Sequence, residues 1–243
     1  MSTSNRADVF LVEHGYARTR AEAQEAIAAG KVFDGGRRII KPSQHLNETS
    51  RIKYERAHPF VSRGALKLAG ALKHFDLSPH KLVCLDLGAS TGGFSEVLLA
   101  HGASKIFAVD VGHGQIDPKI ATDPRVVNIE RTNARDLKPL PQAPEAIVAD
   151  LSFISLKLAL PPALAMAAPG AWLIALVKPQ FEAGKENIGK GGIVKDEGVQ
   201  AAVLADIAAW LPIHPGWSVI ATMESPVKGG DGNREFLIAA RKA

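Results

Sequence analysis

Apolar positions change their period part-way along the chain, and the change divides it. Up to about residue 56 they form short helical and alternating stretches. Val9 to His14 reads as a short helix stopped by Gly15. Thr19 and Glu22 make a Thr-x-x-Glu capping box, Ala23, Ala26 and Ile27 repeat at helical spacing, and Gly30 closes that second helix. Lys31-Val32-Phe33 then reads as a strand, Asp34-Gly35-Gly36 as a turn and Arg37 to Ile40 as the return strand, ended by Lys41-Pro42. The segment between Ser50 and Phe60, with Arg51, Lys53, Arg56 and Pro59, reads as a linker.

From Phe60 onward, strands alternate with helices, the pattern of a parallel sheet covered on both faces. The predicted strands are Leu82 to Leu87, Ile106 to Val111, Val126 to Ile129, Ala146 to Ala149, Trp172 to Val177, Ser218 to Met223 and Phe236 to Ala240. The connection Ser225 to Asn233 is too short for a crossover helix, so the last two strands should pair antiparallel. The fold class is therefore α/β: a small α+β unit over 1–56, linker included, followed by a mostly parallel seven-stranded sheet over 57–243.

Composition narrows the function classes. With 243 residues, 46% hydrophobic and 22% charged, the chain is an ordinary globular protein, and disorder and collagen are excluded. A net charge of +4 leaves room for an anionic partner. One cysteine, Cys84, rules out an internal disulfide, and its apolar neighbours suggest a buried side chain in a reducing compartment. Met1 to Phe10 has no apolar run long enough for a signal peptide and suits a frayed tail, which predicts a cytoplasmic protein. Leu158 to Val177 carries no charge, yet Pro161-Pro162 and Pro169-Gly170 cut it into pieces too short to span a membrane; a helix, a turn and a buried strand are expected there.

The first strand of the larger unit ends in Asp86-Leu87-Gly88-Ala89-Ser90-Thr91-Gly92-Gly93-Phe94 and runs into a helix over Ser95 to His101. Such a glycine-rich turn at the carboxyl end of a parallel strand binds nucleotide-type cofactors. Ser90 stands at the second glycine of the dinucleotide fingerprint and no P-loop lysine is present, so neither of those motifs applies. Asp86 suits a cationic ligand. Asp110, 24 residues later at the end of the next strand, is placed to accept the hydroxyls of an adenosine ribose, and Asp136 to accept from an adenine amino group. S-adenosylmethionine fits these clues, with Gly88, Ala89, Ser90, Gly92, Gly93, Phe94 and Asp150 completing the expected cofactor site. The eight histidines lack metal-ligand spacing, and no metal is expected.

Two resemblances sharpen this reading. The run Arg18-Thr19-Arg20-x-x-Ala23-x-x-x-Ile27-x-x-Gly30-x-Val32-x-x-Gly35 with Lys41-Pro42 resembles the S4 RNA-binding domain, although Ala7 stands where that family commonly has Leu. It implies that Arg18, Arg20, Lys31, Arg37, Arg38 and Lys41 form a basic face toward phosphates. Lys67, Asp150, Lys178 and Glu235, with Asp150-Leu151-Ser152-Phe153, Val177-Lys178-Pro179-Gln180-Phe181 and Gly232-Asn233-Arg234-Glu235 around them, resemble the Lys-Asp-Lys-Glu tetrad of FtsJ-like ribose 2'-O-methyltransferases. With the S4-like unit in front, the chain is similar to the TlyA family, often labelled haemolysin, in spite of Ala65 where Gly is frequent.

That resemblance implies a Rossmann-like class I methyltransferase domain and methyl transfer to a cytidine ribose 2'-hydroxyl of ribosomal RNA, free or within an assembled subunit. A 2'-hydroxyl is a poor acid and must lose its proton during attack. Lys178 is the candidate base, with Lys67 nearby to disfavour its charged form and Asp150 and Glu235 to align both amines. The glycine-rich segment from Glu182 to Glu197 could close over RNA through Lys185, Lys190 and Lys195, or be a disordered surface loop. The competing readings are a structural ion-pair network in place of the tetrad, a noncatalytic RNA-binding ribosome-assembly factor and a membrane-lytic haemolysin. The last would need a spanning or amphipathic segment that the broken apolar run does not supply.

Overall fold

A computed structural model describes residues 4–229 and 232–243. The chain divides into two compact units, Met1–Pro59 and Phe60–Ala243.

In the first unit, helices α1 (Ala7–Glu13) and α2 (Arg20–Ala28) pack through small side chains. Ala7, Leu11, Ala23, Ala26 and Ile27 are all at most 1% exposed, and Val32, Ile39 and Leu46 close the same cluster. Thr19 caps α2 by accepting from the Glu22 N–H at 3.2 Å, while the Glu22 carboxylate takes the N–H of Arg18. Strand β2 (Val32–Asp34) turns through Gly35 and Gly36, both at positive φ, into β3 (Arg37–Arg38). The return strand is shorter than its sequence suggests, although the Ile39 N–H still donates to the Val32 carbonyl at 2.9 Å and the Ile39 side chain is buried.

Two expectations are corrected here. Asn5–Arg6, read as frayed tail, forms β1 and pairs with β4 (His45–Leu46). Ile52–Tyr54, read as linker, is strand β5 and pairs with β2, leaving β2 central in a three-stranded sheet. Strands of two or three residues are too short to show a period. Residues 1–3 of the expected tail lie outside the described residues.

The second unit opens with α3 (Gly64–Phe75). Its sheet holds β6 (Val83–Leu87), β7 (Lys105–Val109), β8 (Val126–Ile129), β9 (Ala146–Ala149), β10 (Trp172–Val177), β11 (Trp217–Glu224) and β12 (Phe236–Lys242), in the order β11-β12-β10-β9-β6-β7-β8. The first five are parallel. Strand β12 runs antiparallel to β10 and β11 antiparallel to β12, as the short connection requires. Gly230 and Asp231 of that connection lie outside the described residues.

Side chains alternate between two cores, one holding Leu85, Phe107 and Ile147, the other Cys84, Ile106 and Val148. Burial pushes the Cys84 thiol up to about 12, which suits packing rather than nucleophilic chemistry. Helix α4 (Gly93–Ala100) follows β6 and the short α5 (Pro118–Ala121) follows β7. Strand β7 stops at Val109 instead of Val111, because the Asp110 carboxylate captures the Gly112 N–H and turns the chain. Leu158 to Val177 contributes to α6 (Leu156–Ala159), α7 (Pro161–Met166), a turn at Gly170 and the wholly buried β10.

Candidate methyltransferase site

The strand order reverses at β6, whose neighbours β7 and β9 leave in opposite directions, and a crevice opens at the carboxyl ends of these strands. Between β6 and α4 (Gly93–Ala100) the loop passes through positive φ at Gly88, Ser90 and Gly92. Gly88 is required for a second reason. A Cβ there would lie 2.5 Å from the Asp150 carbonyl oxygen, so only glycine lets the loop pass the end of β9.

The crevice is a cavity of about 980 Å³, lined on one wall by Gly88, Ser90 and Asp110 and on the other by Asp150, Phe153 and Phe181. Asp110 accepts from the Ser90 N–H at 2.8 Å and the Gly112 N–H at 2.7 Å, so one carboxylate shapes both loops at the rim. Each of its oxygens keeps a second lone pair for a ligand hydroxyl.

The remaining expected cofactor residues separate by position. Ala89 and Phe94 are buried in the packing below the loop, Gly92 packs against Ile116 and Ile120, and Gly93 abuts the Ser62 hydroxyl. Asp136 is not among the lining residues: it is exposed and pairs with Arg135 at 3.3 Å, while Asn133, Ala134 and Arg135 face the cavity.

Asp86 is fully buried beneath the loop. One oxygen accepts from the Ser95 hydroxyl at 2.7 Å, and the other has no hydrogen-bond partner among the described residues. Burial, aided by the negative charges of Asp150 and Asp110, outweighs the Ser95 bond and pushes the carboxyl up to about 7. Three carboxylates therefore gather at this end of the sheet, an environment that favours a cationic ligand. The glycine cradle, this acidic setting and a cavity of cofactor size fit S-adenosylmethionine.

The four tetrad residues come together as two ion pairs. Asp150 follows β9, Lys178 follows β10 and Glu235 precedes β12, and the register Val177 to Phe236 places Lys178 beside Glu235 on adjacent strands. Lys67, in the first turns of α3, reaches Glu235 at 2.6 Å, with both side chains at most 9% exposed. Lys178 Nζ lies 2.7 Å from Asp150 Oδ1 and donates to the Ser152 hydroxyl at 2.9 Å. The start of α3 stands beside Asp150, whose Oδ2 would lie 3.6 Å from a Cβ at Gly64.

Several residues were not singled out by sequence reasoning. Phe153 is 91% exposed at positive φ, and its ring sits 5.0 Å from that of Phe181, whose face is 5.9 Å from Lys178 Nζ. An exposed aromatic held in a rare backbone conformation at a cavity mouth is a functional signal. Glu182 accepts from the Ser155 hydroxyl at 2.6 Å and the Leu156 N–H at 2.7 Å, joining the Asp150 loop to α8 (Pro179–Glu182). Buried Asn233 holds the glycine-rich segment, accepting from the Val194 N–H at 3.1 Å and donating to the Gly192 carbonyl at 3.0 Å. That segment is thus pinned at one end, two residues from Glu235.

The family of the chain follows from comparison with known proteins. The FtsJ-like methyltransferase model matches residues 60–242, and the S4 domain model matches 6–52. The chain belongs to the FtsJ-like methyltransferase family. It is 43% identical to the 16S/23S rRNA (cytidine-2'-O)-methyltransferase TlyA of Mycobacterium tuberculosis over 99% of this chain and 91% of that protein. It is 37% identical to hemolysin A of Brachyspira hyodysenteriae over 96% of this chain and 98% of that protein. A solved Streptococcus thermophilus structure, described as a candidate hemolysin, aligns at TM-score 0.79 and 39% identity over 99% of this chain and 89% of its own. Among the described residues, no helix of this FtsJ-like chain is long and apolar enough to cross a membrane.

The S4 unit places its six expected RNA residues unevenly. Arg20 donates to buried Asp8 at 2.9 Å, Lys31 pairs with Glu55 at 3.3 Å and Arg18 with Glu22 at 3.5 Å. Arg37, Arg38 and Lys41 have no carboxylate partner among the described residues, and the Arg38 guanidinium lies over Gly30.

Proposed function

We propose that the chain transfers the methyl group of S-adenosylmethionine to a ribose 2'-hydroxyl of ribosomal RNA, at cytidine, in the cytoplasm. The observation that carries this reading is the contact of Lys178 Nζ with both Asp150 and Ser152 beside the cavity, backed by the Lys67–Glu235 pair one strand away. The printed activity of the Mycobacterium tuberculosis relative, similar along nearly the whole chain, supports it. So does the S4 match, since a domain of that kind offers phosphates a basic surface.

The cofactor supplies an electrophilic methyl group on a sulfonium that leaves as a neutral thioether. Gly88, Ser90 and Asp110 would hold it against the loop, where the carboxylates of Asp110 and Asp150 line the cavity and would favour its positive charge. Lys178 takes the proton from the attacking 2'-hydroxyl, which its neutral amine alone can do. Ser152 accepts one of its N–H groups and the Asp150 carboxylate lies 2.7 Å from Nζ, so the amine is held in place beside the cavity. Lys67 and Glu235 fix the neighbouring strand end. The Phe153 and Phe181 rings give the nucleotide an aromatic wall.

Exchange of Lys178 for arginine tests the base. Lys178→Arg keeps a cation but cannot become neutral at a working pH. Single-turnover methylation should fall roughly a hundredfold or more with cofactor affinity nearly intact. A rate close to wild type would reassign Lys178 to electrostatic positioning.

A further inference from the structure

The segment that follows α8 is held at both ends beside the tetrad. At its start, Glu182 accepts from the Ser155 hydroxyl and the Leu156 N–H, which fixes it to the loop after Asp150. At its end, the backbone of buried Val194 is gripped by two buried side-chain amides. Its N–H donates to Asn233 Oδ1 at 3.1 Å, and its carbonyl accepts from Gln200 Nε2 at 2.8 Å. Asn233 Nδ2 donates in turn to the Gly192 carbonyl at 3.0 Å. Asn233 stands two residues before Glu235, whereas Gln200 belongs to α9 (Glu197–Trp210).

Between these posts the chain folds on itself. The Asn187 amide donates to the Ala183 carbonyl at 2.6 Å, and Gly191 and Gly192, both at positive φ, turn the backbone so that the Gly189 N–H donates to the Ile193 carbonyl at 3.0 Å. Gly184, Lys185 and Ile188 line the cavity and continue the wall of Phe153 and Phe181, opposite Gly88, Ser90 and Asp110. The segment therefore serves the acceptor side rather than the cofactor side. Gln200 shows that the anchor matters. Its Oε1 is buried without a hydrogen-bond partner among the described residues, a cost that an apolar side chain would avoid, and what the amide gains is the Val194 carbonyl.

We propose that Asn233 is a positioning residue for the acceptor RNA: with Gln200 it anchors the Val194 peptide, and the anchor holds residues 184–193 as a preformed wall beside the tetrad. The RNA then meets a surface that is already ordered. Released from Val194, the same residues would have to be ordered each time RNA binds, and that entropy would be lost from the affinity. The cofactor, held by the opposite wall, does not depend on them. This assignment rests on the reading above that the cavity takes ribosomal RNA.

Asn233→Ala and Gln200→Met cut the anchor from its two sides, one next to Glu235 and the other on a separate helix. In the full-length protein, each should raise the KM for ribosomal RNA roughly tenfold, keep kcat within about twofold and bind S-adenosylmethionine as wild type does by calorimetry. Hydrogen exchange should rise in residues 185–194 of both. The double variant should resemble either single one, because a peptide released from one side loses little more at the other. A wild-type KM in Gln200→Met would overturn the anchor. A fall in kcat confined to Asn233→Ala would overturn it too, by assigning Asn233 to Glu235 alone. So would loss of cofactor affinity in both variants, which would make these bonds part of the general core. If Asn233→Ala alone fails to bind cofactor, Gln200→Met decides by itself. Failure of the wild-type protein to methylate ribosomal RNA at all would strike the functional reading instead.

Discussion

Asp8 and Asp86 are both fully buried carboxylates, one in each unit, and their surroundings send them in opposite directions. Asp8 accepts from Arg6 at 3.0 Å, Arg20 at 2.9 Å and Gln24 at 2.7 Å, and the Arg6 bond above all holds it well below the usual carboxylate range. Asp86 has one serine, and burial raises it to about 7. Burial alone does not decide the charge of a side chain; its partners do. The S4 unit satisfies its buried acid internally and locks two helices with it. The methyltransferase unit leaves its acid short of donors, next to a cavity for a cationic ligand.

The tetrad breaks this comparison most severely. Glu235→Ala would leave Lys67 as a buried cation without its carboxylate, so stability should fall by about 3–5 kcal/mol and methyl transfer should be lost with it. Urea unfolding with tryptophan fluorescence reads this in the right place, since Trp172, Trp210 and Trp217 all lie in the second unit. A variant as stable as wild type would mean that the Lys67 pair has no structural weight.

Asp8→Ala should open the S4 unit by about 2–3 kcal/mol, less than a fully buried pair because Arg6 and Arg20 are half exposed and stay solvated. Hydrogen exchange should rise in α1 and α2 and stay unchanged in β6. A folded Asp8 carboxyl below its unfolded value also means that this stabilisation is complete above about pH 4 and is lost as the pH falls further.

Asp86 carries the opposite sign. Between the ordinary carboxyl value near 4 and about 7, the folded protein keeps a proton that the unfolded chain has released, so stability falls as pH rises across that window. The slope is at most about 1.4 kcal/mol per pH unit. Asp86→Asn should flatten it and leave the protein more stable than wild type at pH 8; an unchanged slope would assign the pH dependence elsewhere.

The smallest effect separates paired from unpaired cations in the S4 unit. Replacing Arg37, Arg38 or Lys41 by glutamine should each lower the salt dependence of RNA binding by about 0.7–0.9 in the log–log slope. Arg18, Arg20 and Lys31, already held by carboxylates, should change it less. Equal effects from all six would erase the distinction.

Strand positions were legible because buried parallel strands are apolar runs: Trp172–Val177 is buried at every residue. That Asp110, Asp150, Lys178 and Glu235 stand at one end of the sheet was legible because each charge borders one of these apolar runs. What the sequence hid were partners. Nothing in the spacing says that Arg20 is committed to Asp8, that Asp136 turns to Arg135 instead of the cavity, or that Ser152 meets Lys178. Phe153 was hidden for the same reason, since its significance lies in its exposure and its backbone conformation, which only the packed chain defines.

Ribose methylation is the central claim, and nucleoside analysis tests it directly. Ribosomal RNA incubated with the purified protein and methyl-labelled S-adenosylmethionine, then digested to nucleosides, should yield label in 2'-O-methylcytidine alone. Label in a base-methylated nucleoside, or in none, would contradict it.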